Sequence, residues 1–137
     1  FDLGETSITW TAEDKSGNKD YCTQKVIVKD NIPPTVTCPA NATVYVGADC
    51  KWTGLFGGTE VGKPEFGDNC KYKYDAVITA EDGSAVEFVD FSTGITLPKG
   101  LATVTWTVTD SAKLFATCTH TISVLDTIRF YMNFQLL

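Results

Sequence analysis

The chain contains an internal repeat, and this feature constrains its fold more than any other. Residues 1–30 align with residues 97–126 without a gap, and nine positions are identical, including Trp10 with Trp106. The repeat period of 96 residues has the length of a whole domain and exceeds the units of solenoids and propellers. The sequence therefore predicts similar domains in tandem, with residues 1–30 as the C-terminal hairpin of a preceding repeat.

The boundary between the two copies is marked by two adjacent prolines, Pro33 and Pro34. Proline removes a backbone donor and favours an extended connector, so residues 31–34 are predicted to be a linker. Residues 35–126 then form one complete domain. Residues 127–137 are apolar, depart from the repeat and are expected to be a tail able to add one further strand.

The pattern of side chains is typical of β-structure almost throughout. Val104, Trp106 and Val108 alternate with threonines, the period of two that places apolar groups on one face of a strand. The equivalent positions near Trp10 repeat this pattern, so each copy is expected to end in a β-hairpin. Further strands are predicted at residues 36–46, 51–56, 72–79 and 86–91. We expect an all-β protein, an immunoglobulin-like β-sandwich of about seven antiparallel strands in a tandem arrangement.

Charge and hydropathy exclude two classes of partner. The chain carries 17 acidic and 11 basic residues, a net charge of −6 that would repel nucleic-acid phosphates. No apolar run approaches the roughly 18 residues of a membrane-spanning helix. We therefore expect neither nucleic-acid binding nor membrane insertion.

Five widely spaced cysteines with a single histidine indicate disulfides in an oxidising compartment rather than a zinc site. The complete domain holds four of them, which allow three pairings. The predicted strand arrangement favours Cys38 with Cys118, and Cys50 with Cys70 would follow. The counterpart of Cys118 is Cys22, whose partner is expected either in the preceding domain or in another chain.

Several spaced motifs resemble the hyalin repeat, or HYR module. Residues 30–44 (DNIPPTVTCPANATV) are similar to its opening D-x-x-P-P-x-I-x-C-P-x-N-I-T-V, and residues 97–110 are similar to its closing segment. Residues 14–18 (DKSGN) match that closing segment further, and residues 68–70 (DNC) match a motif often found in the middle of the module. The resemblance implies an immunoglobulin-like extracellular module associated with adhesion, surface layers and matrix. It brings no catalytic residue.

Two single residues invite a functional interpretation. Asn41 begins an N-glycosylation sequon, which is meaningful if the protein is secreted by a eukaryote and is otherwise a chance pattern. His120 would have to serve any histidine-dependent mechanism. Because the other copy has Gln24 at this position, we interpret His120 as a strand residue, and no catalytic residue is predicted.

Three aspartates are predicted to approach one another at one end of the sandwich: Asp30, Asp68 and Asp110. Their carboxylates, with nearby carbonyls, offer the oxygen ligands that Ca²⁺ prefers, and a bound ion would stiffen the linker. The alternative is that they are solvated turn residues, because aspartate favours turns on its own account.

Three aromatic residues, Trp52, Tyr72 and Tyr74, are candidates for an exposed platform on which sugar rings stack. The alternative is ordinary packing, since aromatic residues in strands mostly contribute to cores.

These observations favour a non-catalytic structural or adhesive module of an extracellular or cell-surface protein built from tandem repeats. Its expected partners are neighbouring copies of the same module, in one chain or in a filament, and extracellular glycans or matrix proteins. The alternative is an accessory module that binds glycan or Ca²⁺ beside other domains. No cofactor other than Ca²⁺ is expected.

Overall fold

The computed structural model describes residues 1–127, which form an all-β structure without helices. The chain divides into two compact units, Phe1–Ile32 and Pro33–Leu137. None of the described segments is a helix with the length and hydrophobicity needed to cross a bilayer. The predicted tail lies, apart from Thr127, outside the described residues.

The first unit is a β-hairpin made of β1 (Gly4–Glu13) and β2 (Lys19–Val28). Its antiparallel register places Gly4 opposite Val28 and Trp10 opposite Cys22. The turn closes with a hydrogen bond from the Asp14 amide to the Asn18 carbonyl, 2.9 Å long. The turn also needs a positive φ, 85°, which Gly17 supplies without strain.

The second unit contains the remaining described strands in several sheets. These strands are β3 (Thr35–Thr37), β4 (Ala42–Tyr45), β5 (Lys51–Gly54), β6 (Glu65–Gly67), β7 (Tyr72–Thr79), β8 (Ala85–Val86), β9 (Ile95–Pro98), β10 (Gly100–Asp110) and β11 (Phe115–Leu125). The largest sheet has the order β4-β11-β10-β7-β8, and two further pairs are β3-β6 and β5-β9. All of these strand pairs are antiparallel except β4 with β11, which is parallel.

These sheets enclose one hydrophobic core, which confirms the predicted β-sandwich. Along β10 the apolar side chains are buried and the alternating threonines are partly exposed, as the period of two requires. Trp106 is fully buried at the centre, with its ring centroid 5.0 Å from those of Phe56 and Phe88. The opposing layer contributes Trp52 from β5 and Leu97 from β9.

The C-terminal hairpin of the second unit repeats the register of the first. Gly100 pairs with Val124 and Trp106 with Cys118, each 96 positions after its counterpart in β1 and β2. The connecting turn has the same hydrogen bond between the residues equivalent to Asp14 and Asn18. Lys113 adopts a φ of 73° where the first hairpin has glycine. The sequence repeat is therefore also a repeat of backbone geometry.

Two predicted strands differ from the observed ones. The segment 36–46 is interrupted, because Pro39 lacks a donor and the chain changes from pairing with β6 to pairing with β11. The segment 86–91 is extended only at Val86, and Phe88 and Phe91 pack on the core from irregular backbone. The strands β6 and β9 are too short to show a clear alternating pattern and were not predicted.

The disulfide expected between Cys38 and Cys118 is present. Its S–S bond is 2.05 Å long, and the two Cα atoms are 5.7 Å apart. Cys38 directly follows β3, and the bond joins it to Cys118 in the first half of β11, 80 residues later. A crosslink of this length is the kind that most restricts the unfolded chain.

The second predicted disulfide, between Cys50 and Cys70, is wrong. Cys50 precedes the start of β5, which lies beside the end of β9 and so near the beginning of β10. Cys70 precedes β7, whose first residue, Tyr72, pairs with Asp110 at the other end of β10. An 11-residue strand spans about 33 Å, whereas a disulfide requires Cα atoms within about 7 Å. The two cysteines therefore belong to opposite ends of the sandwich.

Candidate functional site

A pair of aspartates, Asp68 and Asp110, forms the most unusual polar feature of the second unit. Asp110 ends β10 and is only 4% exposed. Its Oδ1 accepts a hydrogen bond of 2.9 Å from the Leu114 amide, which closes the hairpin turn. Its Oδ2 is buried and has no hydrogen-bond partner among residues 1–127. One carboxylate oxygen of Asp110 thus stabilises the turn, and the other makes no hydrogen bond within the described residues.

Asp68 is placed by the short strand β6, which ends one residue earlier. That strand is held by β3, where Thr35 pairs with Gly67 and also donates its hydroxyl to the Gly67 carbonyl at 3.1 Å. Both carboxylate oxygens of Asp68 are buried without a hydrogen-bond partner in the described part of the chain. One of them lies within 4.8 Å of a carboxylate oxygen of Asp110. No ion pair within residues 1–127 involves either aspartate.

The equivalent aspartate of the first hairpin, Asp14, is fully satisfied. Its Oδ1 accepts from the backbone amides of Ser16 and Asn18, and its Oδ2 accepts from the Asn18 side chain at 2.8 Å. These hydrogen bonds, first that of the Asn18 side chain, lower the pKa of Asp14. In the second hairpin Leu114 replaces this asparagine, which removes the donor that Oδ2 of Asp110 would otherwise have.

The third aspartate of the predicted calcium site, Asp30, belongs to the first unit. It is partly buried, and its Oδ1 accepts a hydrogen bond of 3.1 Å from the Ile32 amide. Its participation in a metal site stays a prediction, whereas Asp68 and Asp110 are brought together within the second unit.

The predicted sugar-stacking platform is wrong for Trp52. This side chain is 5% exposed because β5 directs it into the core, and its indole N–H donates to the exposed Glu60 at 3.0 Å. Tyr72 and Tyr74 are about two-fifths exposed, but Tyr74 stacks on Phe66 with ring centroids 4.9 Å apart. One face of Tyr74 is therefore already covered by the protein's own aromatic core.

His120 is buried on β11 at 3% exposure, beside the ring of Phe56. Neither ring nitrogen has a hydrogen-bond partner within the described chain, and burial lowers the pKa of the imidazole. The Trp106 indole N–H also lacks a partner there. In the first hairpin the equivalent tryptophan donates to Gln24 at 3.2 Å. The histidine is thus a core residue, and its burial disfavours the charged imidazolium.

Asn41 is exposed immediately before β4. Its side-chain oxygen accepts a hydrogen bond of 2.9 Å from the Thr121 amide, which links the start of β4 to β11. The residue therefore has a structural role whether or not it is glycosylated, and glycosylation stays a prediction.

The first hairpin exposes the face that the second hairpin buries. Trp10, expected in a core, is 57% exposed, whereas Trp106 is completely buried. Cys22 lies opposite Trp10 in the register and is also exposed. The alternating pattern around each tryptophan is typical of a core residue, and the sequence did not identify this open apolar face.

Sequence reasoning also missed the role of Leu114. The only signal was the loss of the Gly-Asn pair in the second turn, and its effect on Asp110 becomes visible only beside the structure of the first turn.

No protein-family model matches the chain.

Proposed function

We propose that the protein is a non-catalytic structural or adhesive module of an extracellular tandem-repeat protein, similar to hyalin repeats. The single observation that carries this proposal is the pair of hairpins with one register, of which only the second has its apolar face covered. A fold that is repeated with its geometry intact suits a function based on length and surface rather than on one special site.

The open face of the first hairpin supports assembly with further β-structure. Trp10 occupies the position of the most buried aromatic residue of the complete sandwich, and Cys22 occupies the position of a disulfide cysteine. A two-stranded hairpin is marginal in water on its own, so it gains stability when a second layer covers it. We propose that this layer comes from a neighbouring module of the same kind.

The disulfide supports an extracellular location. A bond between Cys38 and Cys118 persists in an oxidising compartment and is rare in the cytosol. It ties the first strand of the complete sandwich to its last strand, a useful arrangement for a module that bears load or meets proteases.

Size under native conditions tests the proposal. The whole chain is studied by light scattering and electron microscopy over a range of concentrations, with and without reductant. We expect linear self-association, and we expect Trp10→Ala to abolish it because the apolar face is lost. Tyr21→Ala, on the opposite face of the same hairpin, is the matched control and should assemble normally.

Two results would contradict the proposal. A particle that stays monomeric at every concentration would show that the hairpin does not accept a neighbouring module. Equal assembly of the Trp10 and Tyr21 variants would show that the apolar face is not the joint.

The alternative role, an accessory module that binds glycan or Ca²⁺, has one favourable observation, and it concerns Ca²⁺. This is the buried pair of Asp68 and Asp110. Glycan binding is less well supported, because Trp52, one of the three aromatic residues predicted to stack on sugars, is buried.

A further inference from the structure

We propose that Asp68 and Asp110 bind Ca²⁺ at the end of the sandwich where β10 turns into β11. The proposal does not depend on the assembly proposed above, since it rests only on side chains of the second unit.

The first argument is electrostatic. Three carboxylate oxygens, two from Asp68 and Oδ2 of Asp110, are buried without a hydrogen-bond donor in the described residues. Two carboxylates within 4.8 Å of each other repel strongly where water is excluded. Burying a charged group without a partner of opposite charge costs several kcal/mol. A cation between the two groups supplies the missing partner for both.

The second argument is the burial of Asp110. This residue is only 4% exposed, and its Oδ2 is buried away from solvent. An aspartate that only stabilised the turn would not require a buried Oδ2, since Oδ1 alone accepts the hydrogen bond from the Leu114 amide. The buried second oxygen indicates a ligand beyond the turn itself.

The third argument is the contrast with the first hairpin. Asp14 occupies the same position in the same turn, and Asn18 satisfies its Oδ2. Leu114 cannot donate a hydrogen bond from its side chain, so the second turn keeps its backbone geometry while releasing one carboxylate oxygen. The replacement of asparagine by leucine at this one position thus leaves Oδ2 of Asp110 available as a metal ligand.

The geometry suits Ca²⁺ in particular. Calcium–oxygen distances of about 2.3–2.6 Å place two ligand oxygens up to about 5 Å apart across the ion. The separation within 4.8 Å between Asp68 and Asp110 meets that condition. Ca²⁺ accepts irregular coordination completed by carbonyls and waters, whereas Mg²⁺ requires a near-ideal octahedron and gives up water reluctantly. Extracellular modules of this kind bind with dissociation constants of about 0.1–1 mM.

Calcium titration of the whole chain tests the proposal. Isothermal calorimetry and thermal unfolding are followed in chelator-treated buffer as Ca²⁺ is added to about 10 mM, well above the expected dissociation constant. We expect saturable binding and a rise in Tm. In Asp68→Asn and Asp110→Asn the affinity should fall at least about tenfold, since losing even a group that only orients a metal ligand costs about 10–100-fold.

The same variants separate metal binding from a purely structural role. Without Ca²⁺ each amide substitution removes a repulsive charge, so its Tm should equal or exceed that of the wild type. With Ca²⁺ the order should reverse. An aspartate needed only for the fold would lower the Tm under both conditions, and that result would overturn the proposal.

Two further variants sharpen the test. Asp14→Asn, at the equivalent position of the first hairpin, should leave calcium affinity unchanged. Leu114→Asn restores the donor present in the first turn and should weaken Ca²⁺ binding without removing any carboxylate. Equal affinity of Leu114→Asn and the wild type would contradict the assigned role of Oδ2.

The absence of any calcium-dependent change in heat or Tm at 10 mM would overturn the site, as would the same loss of affinity in Asp14→Asn. Saturation by Mg²⁺ at equal or lower concentration would overturn the assignment to Ca²⁺.

Discussion

The two hairpins of this protein have similar sequences and one register but differ in what their apolar faces contact. Trp106 and its neighbours are buried by an opposing layer of strands, whereas Trp10 in the first hairpin is 57% exposed. The backbone geometry is therefore local: β1 and β2 reach the same pairing as β10 and β11 without that core. Burial, by contrast, depends on the rest of the domain.

The hairpins also differ in how they satisfy equivalent polar groups. In the first, Trp10 donates to Gln24 and Asp14 accepts from Asn18. In the second hairpin, His120 replaces Gln24 and Leu114 replaces Asn18. The Trp106 indole N–H and one carboxylate oxygen of Asp110 therefore have no hydrogen-bond partner among the described residues. The second unit thus has a well-packed core but leaves more of its buried polar atoms without hydrogen-bond partners among the described residues.

The largest expected effect compares the two tryptophans. Trp106→Ala should destabilise the second unit by about 3–5 kcal/mol, because it removes the central side chain of a packed core. Trp10→Ala should change the same unfolding transition by less than about 0.5 kcal/mol. Urea denaturation followed by circular dichroism measures both. Similar losses in the two variants would show that the first hairpin contributes to the folded core.

The next effect compares the cysteines. Replacing both Cys38 and Cys118 by alanine should lower the free energy of unfolding by about 2–5 kcal/mol, since the bond closes a loop of 80 residues. Cys22→Ser should leave it unchanged. The measurement is urea unfolding under non-reducing conditions, and dithiothreitol should destabilise the wild type to a comparable extent. Insensitivity of the wild type to reductant would contradict this prediction.

A pH effect separates His120 from its counterpart Gln24. Burial lowers the pKa of His120, so the unfolded chain, with an ordinary pKa of 6.5, binds a proton before the folded chain does. The free energy of unfolding should be at its full value above pH 6.5 and should decrease as the pH falls below it. His120→Gln should remove this decrease between pH 7.5 and 5. Urea midpoints at several pH values measure it, and a parallel decrease in the variant would assign the effect to other groups.

The smallest expected effect concerns the turns. Lys113 adopts a φ of 73°, which costs a residue with a Cβ about 1–2 kcal/mol, whereas Gly17 adopts 85° without that cost. Lys113→Gly should therefore stabilise the second unit by about 0.5–1 kcal/mol, the strain relieved less the entropy of glycine. Thermal unfolding measures the gain. A loss of stability would show that the Lys113 side chain contributes more than its backbone strain costs.

Much of the fold could be predicted because its patterns are local. The alternation around Trp106 identified β10, and Tyr72–Thr79 was predicted with the bounds that the structure has. The pairing of Cys38 with Cys118 followed from the order of strands in a sandwich. The errors arose where distant contacts decide: the sequence does not show that Cys50 and Cys70 lie at opposite ends, or that Trp52 points inwards.

The candidate site was only partly predictable. The sequence suggested Asp68 and Asp110 because both lie in predicted loops, and two loops of a sandwich were expected at the same end as the start of its first strand. Their lack of hydrogen-bond donors could not be predicted, because it depends on which distant residues folding places beside the carboxylates. The significance of Leu114 required the structures of both turns.

The sequence by itself determined the alternating strands, the hairpin register and the repeat, because each depends on side chains and turns that are near neighbours in the chain. The tertiary structure alone decided which face of each hairpin is buried, which cysteines meet and which carboxylates lose their hydrogen-bond donors. These depend on residues that folding brings together from distant positions, and two similar hairpins therefore differ, one with a covered apolar face and one with an exposed apolar face.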